Sequence, residues 1–152
     1  MGKRSKGRAL LLQAMYAARI SDRTLTDCLE EQIERRESAP ETAEFARRVA
    51  RRVINHGEEL EASVAPLLAN WDIERVGLLE RLILTLALAE LRYFPEVPYR
   101  VAINEACELA RSFCDENAVR FVNGVLDRAA ADLRAADATA PGGDRDRGAD
   151  QA

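Results

Sequence analysis

Histidine occurs once and cysteine three times in the 152 residues, and these shortages leave little for catalysis or metal binding. No cysteine pair has the C-x-x-C spacing of a zinc site. Cys107 and Cys114 are two helical turns apart if they share a helix, roughly 10 Å and beyond disulfide reach. No nucleophile elbow surrounds a serine, and the only adjacent glycines, Gly142 and Gly143, fall in the terminal segment. Neither a phosphate loop nor a dinucleotide fingerprint is therefore present. These absences predict a protein that is not an enzyme and uses no metal or cofactor. Long apolar runs are missing too: the longest spans residues 82–89, well short of the roughly 20 needed to cross a bilayer. The N-terminus starts with charge but turns polar at Gln13 and has no small-residue cleavage site before Arg19, so the expected location is the cytoplasm. A formal charge of −4 excludes coating of nucleic acid by the whole surface and confines any such contact to a local patch.

Helix is what the sequence does contain. Glycine and proline are sparse up to residue 136, and no segment alternates in the manner of a strand. Apolar residues recur at spacings of three and four, predicting helices over about 8–18, from Thr26 through Ile33, and from Pro40 to about Leu68 with a kink at His56-Gly57. Further helices are expected over 76–93, 99–113 and 117–133. The fourth is apolar nearly all round between Leu82 and Leu88, which marks it as the centre of an all-α fold. The expected domain covers residues 1–136. Residues 137–152, rich in Ala, Gly, Asp and Arg without large apolar side chains, are expected to form a disordered polar tail.

Two features suggest contact with a polyanion. Lys3, Arg4, Lys6 and Arg8 are followed by no acidic residue until Asp22, a pattern suited to phosphate. Tyr16 and Phe121 stand at the edges of apolar stripes, where a base stacks or a core packs. Arg47, Arg48, Arg51 and Arg52 form a second cluster, but Glu41, Glu44, Glu58 and Glu61 share its segment and favour a solvated helix face.

The strings Val101-Ala102-Ile103-Asn104-Glu105-Ala106 and Phe121-Val122-Asn123-Gly124-Val125-Leu126-Asp127, with Trp71, the run 79–84 and the opening 8–16, resemble the NusB family of bacterial transcription antitermination factors. The resemblance covers about residues 3–130. It implies about seven helices in two packed bundles, and a function in binding boxA-type single-stranded RNA of ribosomal RNA transcripts. The ribosomal protein NusE is the implied partner, within a transcription elongation complex. By matching position, Lys3, Arg4, Lys6, Arg8, Gln13, Tyr16, Arg120 and Phe121 are implied RNA contacts, and Glu80 and Asn117 partner contacts. Asn104 and Asn123 read as structural amides, with Gly124 expected to let two helices approach closely. The chain departs from the family where Asn117-Ala118 replaces an acid and a serine, and its basic segment mixes two arginines with two lysines. A second reading is a homodimeric interaction module without direct RNA binding.

Overall fold

The computed structural model describes residues 2–71 and 76–139, which form six α-helices. They are α1 (Lys3–Ser21), α2 (Leu25–Arg35), α3 (Pro40–Leu67), α4 (Leu78–Tyr93), α5 (Tyr99–Phe113) and α6 (Glu116–Thr139). The count is six rather than about seven because residues 40–67 stay one helix across a kink at His56 (φ −122°, ψ 18°). Helix α1 starts at Lys3, well before the expected start, so the basic segment is helical. Helix α6 continues to Thr139; the rest of the expected tail lies outside the described residues.

Local chemistry sets the helix ends. The Thr24 hydroxyl, rather than that of Thr26, accepts the Asp27 N–H (3.1 Å) to cap α2. Pro40 opens α3, where a missing N–H costs nothing. The Glu80 carboxylate accepts the Gly77 N–H (2.6 Å) at the start of α4. The Asp115 carboxylate accepts the Ala118 N–H (2.9 Å) at the start of α6. At the end of α2, Glu37 takes φ 48°, a left-handed turn usually given to glycine.

Helices α1, α2 and α3 pack together as one bundle, and α4, α5 and α6 as a second. Helices α1 and α3 also reach across to α4. Every residue from Leu82 to Leu91 is buried, so α4 is the shared core element that its apolar run predicts. Among the described residues no helix is long and apolar enough to cross a membrane.

Candidate nucleic-acid interface

The first turns of α1 form against electrostatic preference. Its N-cap, Gly2, offers no side chain, no acid stands in the first turn, and Lys3, Arg4 and Lys6 sit at the positive end of the helix dipole. Packing and one buried ion cluster hold them. Gly7 lies against α3: a Cβ there would meet the Thr42 backbone carbonyl at 3.0 Å and the Phe45 ring at 3.3 Å. Glycine therefore serves helix contact at this position. Gly124, expected to serve that purpose, has only the Trp71 ring edge at 3.7 Å from such a Cβ.

Arg8 is the anchor. Its side chain is 3% exposed, and its Nε and Nη2 donate to the two carboxylate oxygens of Glu90 at 2.8 and 2.7 Å. Nη1 donates to Glu105 at 2.8 Å, and Glu105 also accepts the Ser5 hydroxyl. Burial works against the Arg8 charge, but hydrogen bonds and charges from Glu90 and Glu105 outweigh it and raise the guanidinium above its ordinary value. Burial also pushes the Glu90 carboxyl up, against the pull of Arg8. Arg8, expected among the RNA contacts, is thus enclosed by two carboxylates, unlike its exposed neighbours Lys3, Arg4 and Lys6.

Lys3, Arg4 and Lys6 are exposed, and the Arg8 anchor fixes where they point. Lys3 Nζ lies 2.6 Å from Glu41, and Arg4 lies 3.7 Å from Glu96 with its guanidinium over the Phe45 ring. Exposed pairs of this kind contribute about 0–1 kcal/mol, so an incoming phosphate can replace them. Lys3, Lys6 and Gln13 come together on one wall of a groove of about 810 Å³. Its other walls are the α2–α3 turn from Arg36 to Ala39 and the second half of α5, from Glu105 to Phe113. Across it, Arg36 Nη2 donates to Gln13 Oε1 (2.9 Å), while Gln13 Nε2 donates to the Ala9 carbonyl (3.1 Å). Tyr16, one turn beyond Gln13, is 38% exposed.

Arg120 and Phe121 do not line this groove. Arg120 is exposed on α6 and donates to Asn117 Oδ1. Phe121 is 7% exposed and packs edge-on against Trp71, ring centroids 4.9 Å apart. Its aromatic face is therefore largely covered by the core. Glu80, besides capping α4, contacts the Cys114 thiol, three residues before the exposed Asn117. Glu80 thus lies beside the α5–α6 junction, the stretch of chain that leads into Asn117. Asn123 donates to Asp127 (3.3 Å) and accepts from Cys107 (3.6 Å), as a structural amide should, while Asn104 is exposed and makes no side-chain hydrogen bond among the described residues. His56 stacks on Tyr93, centroids 4.4 Å apart, beside Arg52.

Fold and site together define a class: a two-bundle helical protein whose first helix carries an exposed cationic end beside a groove. The chain belongs to the NusB family, whose family model matches residues 5–131. It is 36% identical over 137 residues to the transcription antitermination protein NusB of Myxococcus xanthus, covering 88% of this chain and 98% of that protein. The Bacillus subtilis protein of the same name is 33% identical over 131 residues, with 86% and 97% covered. Among solved structures, T. maritima NusB superposes with a TM-score of 0.75 at 29% identity, covering 86% of this chain and 92% of that one. A structure of the antitermination factors NusB and NusE in complex with double-stranded RNA gives 0.75 at 26% identity, with 86% and 97% covered.

Proposed function

We propose that this protein is a non-enzymatic, cytoplasmic transcription antitermination factor that binds boxA-type single-stranded RNA of ribosomal RNA transcripts together with the ribosomal protein NusE. The observation that carries the reading is the exposed Lys3, Arg4 and Lys6 set on a helical end fixed by the buried Arg8. Cations held in place lose less entropy on binding than a loose chain does. The relative whose solved complex contains NusE and RNA supports the choice of partners. Gln13 and Tyr16 continue the surface along α1, and Arg120 adds an exposed cation on α6. Arg8 and Phe121 contribute by holding this surface in place, and Glu80 and Asn117 mark the partner side.

Fluorescence anisotropy of labelled RNA at several salt concentrations tests the proposal, using a boxA-type single strand, a scrambled strand and a duplex, each with and without NusE. Preference for the boxA strand that tightens with NusE is the expected result. Removing one phosphate-binding charge, by Lys3→Gln or Arg4→Gln, should lower the slope of log affinity on log salt by about 0.7. Equal affinity for boxA and scrambled strands, with or without NusE, would refute it.

A further inference from the structure

One carboxylate is shared between a cation of α1 and a cation of α3. Glu96, on the chain between α4 and α5, accepts from Arg48 Nη2 at 3.0 Å through Oε2, and Arg4 Nη2 lies 3.7 Å from the same oxygen. Both guanidiniums are also held by rings. Arg4 lies 4.6 Å from the centroid of Phe45 and Arg48 lies 5.0 Å from that of Phe94, and these two rings pack edge to face with centroids 6.0 Å apart. Lys3 is held differently, because Glu41, 2.6 Å away, has no second cation among the described residues.

A phosphate that approaches Arg4 competes with Glu96 for the same N–H donors. The exchange strands no charge, since Glu96 keeps the nearer Arg48 when Arg4 leaves. The Phe45 ring meanwhile holds the flat face of Arg4, so its edge donors change acceptor without the side chain losing its place. We propose that Glu96 is an internal competitor for RNA phosphate: it holds Arg4 in the free protein and passes to Arg48 alone when RNA binds. The proposal rests on the RNA reading above and adds to it a carboxylate that sets affinity without touching the strand. An anion that meets Arg4 alone gains only the difference between two ion pairs, so its retention depends on contacts made elsewhere. Both partners are exposed, which limits the effect of the competitor to about fivefold in affinity.

The test is fluorescence anisotropy of the full chain with a labelled boxA-type single strand across a salt series. Glu96→Gln is compared with Glu61→Gln, which makes the same change in net charge at the far end of α1, where Glu61 pairs with Arg19. Glu96→Gln should bind about threefold more tightly than wild type, and Glu61→Gln should stay close to it. The gain should shrink as salt rises and disappear when Arg4→Gln is added. Arg48→Gln, which leaves Glu96 with Arg4 as its one cation, should weaken binding, and adding Glu96→Gln should restore it. Equal gains from Glu96→Gln and Glu61→Gln, the same gain with and without Arg4, or an Arg48→Gln/Glu96→Gln double variant no tighter than Arg48→Gln overturns the competitor and leaves the RNA reading standing. A wild-type chain that binds no RNA under any condition overturns the RNA reading, and the competitor with it.

Discussion

Replacing Arg8 by methionine separates an anchoring role from an RNA-contacting one. The change removes three charge-assisted hydrogen bonds, two to Glu90 and one to Glu105, and leaves the Glu90 side chain, 1% exposed, without its guanidinium. Breaking one partner of a buried pair costs about 3–5 kcal/mol, against a total stability of about 5–15 kcal/mol for a domain. Urea unfolding followed by circular dichroism should therefore show a large fall in midpoint at pH 7. Burial already raises the Glu90 carboxyl, and losing Arg8 removes the groups that pull it down, so its folded value rises further. At pH below the ordinary carboxylate value Glu90 is protonated both folded and unfolded. As pH rises through the window up to the raised folded value, the unfolded chain releases its proton first, so folding loses stability. The deficit of Arg8→Met relative to wild type should thus be smallest near pH 4 and grow toward neutrality. Adding Glu90→Leu removes the stranded carboxylate, and the double variant should recover most of the loss. A single variant costing less than about 1 kcal/mol, or a double variant no better than the single, would refute the anchor.

Gly7→Ala should lower stability by about 1 kcal/mol despite alanine's better helix propensity, because the new methyl meets a backbone carbonyl that cannot move aside; calorimetry decides the sign. Gly57→Ala, with nothing within 4 Å of the added carbon, should instead be stabilising by up to about 1 kcal/mol in the same measurement. Glu37→Gly should raise the unfolding free energy by about 1 kcal/mol by relieving the left-handed backbone, an outcome readable from urea midpoints. Cys114, whose thiol is pushed up to about 12 chiefly by burial and then by Glu80, should remain a thiol at pH 8. It should react with iodoacetamide about a thousandfold more slowly than an unfolded cysteine, and denaturant should abolish the difference.

The helices were legible because their apolar residues repeat at helical spacing, and the all-round apolar run at 82–88 identified α4 as the core. Starts were less legible. Helix α1 begins at Lys3 because Gly7 and Arg8 lock it to α3, α4 and α5, contacts that local propensity does not encode. The same long-range pairing hid the role of Arg8: its partners are 82 and 97 residues away, so in the sequence it reads as one more cation in a basic run. A glutamate inside the apolar stretch 82–91 was the available signal, since a buried carboxylate requires a partner.

Helix α3 belongs to neither bundle alone. Its first half packs with α1 and α2, and its last turns place Val64 and Leu67 in the common core, where the helix contacts α4 and α6. With 28 residues at about 1.5 Å each it is close to 40 Å long, the longest of the six described helices. Severing the chain between α3 and α4 would expose apolar surface on both fragments, so neither half is an autonomous folding unit. Tension or denaturant applied to one bundle is transmitted along this shared strut, and the two bundles melt together.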